Sequence, residues 1–216
     1  GLETFALFAL AAALYHTMNH AVFKALLFLG AGSVVGATGT RHMEHYGGLI
    51  RFMPFTAFFF LIGSLAISAF PPFNGFASEW LTFQALFVGI GSTSLVVKTE
   101  FIFAISSLVF TGGLAAACFV KAFGTTFLAR SRNVESRMIH ESGLPMLVAM
   151  GILAALTLIL GIFSTVVIAA LVGIVASIGL IDPLSLQFPL TQFIVAREQF
   201  ANVLPLDTVA TALFLM

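Results

Sequence analysis

Charged side chains are scarce in this sequence of 216 residues. Lys, Arg, Asp and Glu together make up 8% of the chain, and their signs balance to a net charge of zero at pH 7. A chain without a basic excess lacks the electrostatic signature of a nucleic-acid-binding protein. We therefore expect no nucleic-acid partner.

Cysteine is almost absent. The single residue, Cys118, lies inside an apolar run, where packing is its simplest role. One cysteine excludes an intrachain disulfide, and it supplies too few thiolates for an iron–sulfur cluster or a thiolate metal site. The sequence therefore predicts that this chain holds no cofactor and no redox centre of its own.

Apolar residues, in contrast, make up 60% of the chain. Runs long enough to cross a bilayer follow one another, which predicts an all-α, polytopic transmembrane helix bundle at 1–181. An interfacial amphipathic segment is expected at 182–204, and 205–216 is interpreted as the start of a truncated apolar segment. A beginning without methionine and an end in this short stretch indicate an internal piece of a longer membrane protein. The predicted spans are about 3–36, 53–70, 75–91, 100–128 and 145–170.

Two places along these spans favour a break. Pro71 and Pro72 separate the second span from the third, because a helix cannot run unchanged through such a pair. The third span is short, so we expect a broken helix or a segment lying deep behind the proline turn. The fifth stays apolar to about residue 181, and Gly161 and Gly173 are places where it can bend.

The first span carries three ionisable residues, His16, His20 and Lys24, at a spacing of four. This spacing stacks them along one helix face over about 12 Å. A charge at bilayer depth costs about 3 kcal/mol or more, so intramembrane ionisable groups usually mark a functional site. Histidine exchanges protons near neutral pH. The hypothesis is a proton relay, in which Tyr15 and Asn19 could hold waters or fix a histidine tautomer.

Other interpretations of this stripe remain open. Lys24 could extend its ammonium group to water, and a buried histidine is often only a hydrogen-bonded core residue. His16 and His20 also have the spacing of helical metal ligands, but no nearby acid or cysteine completes a site. We therefore predict no metal site here.

Glu79 and Lys121 also fall within apolar spans. Glu79 follows the proline turn and could simply complement the dipole of a helix start. It could equally lie at a hydrated break in the membrane, where it would exchange protons with the stripe. Lys121 is either the exit-side member of that path or a lysine extending toward the side of Arg130. The acids and bases at 41–51, 98–100 and 130–141 are interpreted as solvated loop charges.

Three motifs, HTMNHAVFKALLFLGAGSV, HYGGLIRFMP and AFPPFNGFASEW, follow one another in this order. Together they resemble the antiporter-like, proton-translocating membrane subunits of respiratory complex I and energy-converting hydrogenases. The stretch ACFVKAFGTTFLA resembles in particular the large membrane subunit of formate hydrogenlyase and hydrogenase-4-type complexes. The resemblance covers roughly residues 10–130, and 145–216 adds little to it.

This resemblance implies a fold of two inverted repeats, each with a broken helix, and a chain that comprises most of the second repeat and the helix after it. It implies that His16, His20 and Lys24 lie on a central hydrophilic axis, and that Glu79 occupies the acidic or basic position of the broken helix. Many complex I subunits have lysine there. Expected partners are other membrane subunits, lipid and a peripheral redox arm that holds nickel–iron and iron–sulfur centres, or flavin and iron–sulfur. The expected location is the prokaryotic inner membrane.

The leading hypothesis is therefore a proton-translocating membrane subunit of a redox-driven complex. In it, protons move among His16, His20, Lys24, Glu79 and Lys121. One alternative is a subunit of a multi-subunit sodium–proton antiporter. Another is a structural anchor, in which the ionisable groups only organise buried water and helix packing.

Overall fold

The computed structural model describes residues 2–91, 94–130 and 139–177. Throughout these ranges the regular structure is helical, which confirms the predicted all-α class. The predicted segments 182–204 and 205–216 lie outside the described residues. The helices are α1 (Leu2–Thr38), α2 (Pro54–Ile67), α3 (Asn74–Ile90), α4 (Leu95–Phe123), α5 (Leu144–Ile162) and α6 (Ser164–Ser177). A 3₁₀ turn at Leu49–Arg51 precedes α2, and α4 continues into a π-helical turn at Gly124–Leu128.

Within the described part of the chain, three stretches are long and apolar enough to cross a membrane alone: Ala9–Thr38, Leu95–Leu128 and Leu144–Ile162. Two shorter apolar helices, Pro54–Ile67 and Ser164–Val175, accompany them. At 17 residues, α3 extends about 26 Å, less than the hydrocarbon thickness of a typical bilayer. The helices therefore fit a membrane bundle in which long and short segments lie side by side.

The apolar stretch predicted as one span at 145–170 is divided into two helices. The α5 helix ends at Ile162, Phe163 leaves helical geometry, and α6 begins at Ser164. The Tyr15 hydroxyl donates a 2.6 Å hydrogen bond to the Leu160 carbonyl in the last turn of α5. Because no water is available in the bilayer core, a carbonyl at a helix end needs such a partner.

The α1 helix forms the centre of the bundle and contributes to three apolar clusters at successive depths. Its first part packs against α3 and α6, its middle against α2 and α5, and its last turns against the residues around the 3₁₀ and π-helical turns. Representative buried α1 residues of the three clusters are Ala12, Leu26 and Val34. Neighbouring helices therefore hold the stripe residues of α1 at defined depths.

The proline turn between α2 and α3 is tightly enclosed. A Cβ atom added to Gly75 would collide with the Ala66 carbonyl at the end of α2. One added to Gly161 would collide with the Pro72 carbonyl in the turn. Close backbone approach of this kind is how membrane helices gain packing energy where lipid removes the hydrophobic driving force. The start of α3 is consequently held against both α2 and α5.

Candidate proton-transfer site

The three stripe residues of α1 have different exposures. His16 and Lys24 are half-buried, whereas His20 is exposed at the surface of the described chain. The ring centroids of His16 and His20 are 6.0 Å apart, and Phe23 packs edge-on against His20 at 5.3 Å. The two imidazoles are therefore neighbours without a direct hydrogen bond. Among the described residues, no group of three His, Cys, Asp or Glu side chains is arranged to hold a metal ion.

His16 makes a polar contact with α3. Its Nδ1 atom lies 3.1 Å from Oγ of Ser78, a residue with no solvent exposure. The Ser78 hydroxyl can also donate to the Asn74 and Gly75 carbonyls, each 3.1 Å away in the first turn of α3. This contact joins the histidine stripe to the residue that immediately precedes Glu79.

Two fully buried asparagines support the same junction. Asn19 Nδ2 donates to the Asn74 carbonyl at 3.1 Å, and Asn74 Nδ2 donates to Asn19 Oδ1 at 3.2 Å. Tyr15 bonds the Leu160 carbonyl instead. Within the described residues, neither Tyr15 nor Asn19 is hydrogen-bonded to a histidine, contrary to the expectation that they fix a tautomer. Ser78, which sequence reasoning missed, makes that contact. Its only signal was a position one helical turn after Asn74.

Glu79 is half-buried and faces α4. A Cβ atom added to Gly112 would lie 3.8 Å from Glu79 Oε2, so the carboxylate lies beside the bare backbone of that glycine. A Cβ added to the next residue, Gly113, would meet nothing within 4 Å. The pair Gly112-Gly113 therefore has one member beside the carboxylate and one on an open face.

Lys121 is not brought to the other candidates within the described chain. Its side chain is exposed near the end of α4, three residues before the π-helical turn. No ion pair joins Lys24, Glu79 or Lys121 to one another among the described residues. The structure thus links His16 to the start of α3 and leaves His20 and Lys121 facing outward.

One acid that the sequence analysis placed among solvated loop charges is bound to α2. Glu141 Oε2 accepts hydrogen bonds from the Phe55 amide at 2.9 Å and the Thr56 amide at 3.4 Å. Its Oε1 accepts a 2.6 Å bond from the Thr56 hydroxyl. Because Pro54 begins α2, these amides belong to the first turn and have no partner within the helix. Glu141 therefore caps α2 from 85 residues away.

Comparison with known proteins agrees with the motifs. Residues 2–106 match the family described as "NADH:quinone oxidoreductase/Mrp antiporter, TM". This stretch is therefore similar to the transmembrane segment of that family. It contains the whole histidine–lysine stripe, the proline turn and Glu79, whereas Lys121 lies beyond the matched residues.

The chain is similar to curated relatives of two kinds. It is 45% identical to hydrogenase-4 component B of Escherichia coli over 153 residues, covering 71% of this chain and 23% of the relative. It is 39% identical to formate hydrogenlyase subunit 3 of the same organism, and the match covers 65% of this chain and 23% of the relative. It is also 34% identical to an Na(+)/H(+) antiporter subunit of Alkalihalophilus pseudofirmus, and the match covers 74% of this chain and 20% of the relative. The chain thus spans less than a quarter of the length of these relatives.

Two solved structures resemble the fold. The membrane-bound sulfane sulfur reductase, an archaeal respiratory complex, contains a chain 31% identical, with a TM-score of 0.58 over 70% of this chain and 23% of that one. The Mrp complex from Dietzia sp. DQ12-45-1b contains a chain that is 20% identical. Its TM-score is 0.63, and the match covers 76% of this chain and 36% of that one. Both neighbours belong to complexes. The second establishes the likeness of fold alone.

Proposed function

We propose that this chain is part of a proton-translocating membrane subunit of a redox-driven complex. The observation that carries the proposal is the junction of α1 and α3. There, an intramembrane histidine contacts the residue next to an intramembrane carboxylate. Titratable groups on two neighbouring membrane helices are a costly arrangement unless they serve a function. The likeness to hydrogenase-4 component B and formate hydrogenlyase subunit 3 supports the redox-driven assignment.

In this proposal, protons pass between water chains and the side chains of His16, His20, Lys24 and Glu79. Histidine accepts and releases protons near neutral pH, and a proton arriving at one group repels the charge on the next. Lys121 takes the exit-side position, consistent with its exposure near the end of α4. Extension of this lysine toward the Arg130 side is the alternative role.

The driving reaction is assigned to partner subunits. We propose other membrane subunits and a peripheral redox arm with nickel–iron and iron–sulfur centres, in a prokaryotic inner membrane. Flavin with iron–sulfur centres is the variant expected for a complex I-type arm. This chain contributes proton-carrying side chains and no redox chemistry.

Alanine replacement of Lys24 or Glu79 in the whole complex tests the relay. We expect each variant to assemble normally but to lose redox-coupled proton uptake in inverted membrane vesicles, because a required carrier is missing. Glu44→Ala is the matched control, since Glu44 is an exposed carboxylate in the loop after α1. Normal pumping by both relay variants would overturn the proposal. Loss of assembly, with unchanged proton stoichiometry in the complexes that form, would favour the structural-anchor role.

A second candidate function is sodium–proton antiport, favoured by the 34% identity to an Na(+)/H(+) antiporter subunit. It is tested with the whole protein reconstituted in liposomes without any redox partner. Sodium-dependent proton movement there would favour the antiporter. Proton movement that appears only with the redox partner and its substrate would favour the first function.

A further inference from the structure

In the hydrogen bond between His16 and Ser78, the surrounding bonds determine which residue is the donor and which is the acceptor. Ser78 carries one hydroxyl proton, and three acceptors surround its oxygen at 3.1 Å: the two carbonyls of Asn74 and Gly75 and, in one tautomer, His16 Nδ1. A serine inside a helix ordinarily donates to a carbonyl three or four residues earlier. The question is whether Ser78 does so here or donates to the histidine.

Counting hydrogen bonds decides between the two arrangements. If the Ser78 proton points to a helix carbonyl, its oxygen can also accept a proton from Nδ1, so two hydrogen bonds form and one carbonyl oxygen is left without that proton. If the proton points to Nδ1, one bond forms and the serine oxygen faces two carbonyl oxygens at 3.1 Å without a proton between them. Such unsatisfied buried contacts are unfavourable away from water.

The position of the Asn74 carbonyl is itself held from α1. Asn19 donates to this carbonyl at 3.1 Å, and Asn74 returns a bond to the Asn19 side chain. All three of Asn19, Asn74 and Ser78 have no solvent exposure, so water does not compete for these bonds from outside. The serine therefore has a fixed place on α3 relative to the histidine.

We propose that Ser78 is a positioning residue that holds neutral His16 in the Nδ1–H tautomer. The tautomer follows from the geometry alone, whereas its consequence for proton transfer rests on the proposed function. Nε2 is then the nitrogen that takes up a proton, while Nδ1–H stays bonded to Ser78 in both charge states. The proton that Nε2 accepts is the one it later releases. The His20 ring centroid lies 6.0 Å from that of His16, so exchange between the two rings passes through water.

Among the described residues, few other titratable groups lie on the elements packed around His16. Tyr15 and His20 are its neighbours along α1, and Lys24 lies two turns further on. From α3 the one titratable residue within Asn74–Ile90 is Glu79, next to Ser78. The sequences of α2, α5 and α6, which also pack against α1, contain none. A change of pH response in a Ser78 variant can therefore be traced to a short set of residues.

Two readouts on the whole complex test the inference. In membranes containing ¹⁵N-histidine, the difference spectrum between the native complex and its His16→Gln variant isolates the His16 signals. We expect a protonated Nδ1 and an unprotonated Nε2 at alkaline pH in the native complex, and loss of this tautomer in Ser78→Ala. Ser78→Thr keeps the hydroxyl and should restore it. An Nε2–H tautomer in the native complex would overturn the inference.

The second readout is the pH profile of proton translocation. Ser78→Ala removes an acceptor that stabilises the protonated ring, so the alkaline limb should move to lower pH by about one unit. Ser64→Ala is the control, because Ser64 is also buried, at 5% exposure, and donates to the Phe60 carbonyl of its own helix at 2.8 Å. Equal profiles for the two alanine variants would overturn the inference. If His16→Gln leaves translocation unchanged, the proposed function fails while the tautomer measurement still stands.

Discussion

Four-residue spacing places His16, His20 and Lys24 on one face of α1, but each has a different environment. His16 contacts buried Ser78, His20 is exposed, and Lys24 is half-buried. An α-helix of 3.6 residues per turn rotates a four-residue series by about 40° per step, which turns successive members toward different neighbours. Identical spacing therefore does not give identical chemistry.

At the same scale, the two adjacent glycines of α4 provide a test of Glu79. Gly112→Leu should reduce redox-coupled proton translocation about 10-fold or more, because its side chain would occupy the space beside Glu79 Oε2 and displace the carboxylate. Gly113→Leu is the matched variant, since nothing lies within 4 Å of its Cβ position. Both are measured as proton uptake by inverted vesicles. Equal activities would show that the space beside Gly112 is not required.

At the scale of elements, helix ends in this bundle are satisfied from distant parts of the chain. Glu141 caps the first turn of α2, and Tyr15 bonds the last turn of α5. The α2 helix begins at Pro54 without a side-chain cap from its own N-cap residue, and α5 ends at Ile162, where the Phe163 amide donates to the Ile159 carbonyl. The bonds from Glu141 and Tyr15 stabilise the tertiary arrangement and the helix termini together.

The α2 cap predicts a local effect. Glu141→Ala should weaken the start of α2 by about 1 kcal/mol, because the Phe55 and Thr56 amides lose their acceptor. Hydrogen–deuterium exchange of the peptide covering this turn should then be roughly five times faster. Glu44→Ala, which removes an exposed carboxylate, should leave this exchange unchanged. Unchanged exchange in Glu141→Ala would mean that the turn is held by packing alone.

At the scale of the whole molecule, the α4 side chains are not buried against the rest of the described chain. This helix is long and apolar enough to cross a membrane, yet none of its residues from Leu95 to Phe123 is buried. The chain also spans less than a quarter of its curated relatives. The ionisable residues His20 and Lys121 lie exposed on the bundle. Exposed intramembrane charge is expected to face protein or a wet cavity, so we expect these positions to be covered in the assembly.

Purification of the native assembly through a tag on this chain tests the redox assignment. We expect nickel and iron–sulfur proteins to co-purify, because the relatives include hydrogenase-4 and formate hydrogenlyase subunits. A flavin and iron–sulfur assembly without nickel would indicate a complex I-type arm. Small membrane proteins without metal would contradict a redox-driven function and favour the sodium–proton antiporter.

The sequence by itself determined the helical class, the membrane environment, the break at Pro71 and the stripe on α1. These depend on properties that act locally: apolar length, proline's missing amide hydrogen and the helical repeat. Only the tertiary structure decided that Ser78 meets His16, that Glu141 caps α2 and that Gly112, not Gly113, lies beside Glu79. The physical reason is that lipid and a packed protein interior are similarly apolar. Hydropathy along a membrane helix therefore does not distinguish its buried face from its lipid-facing one.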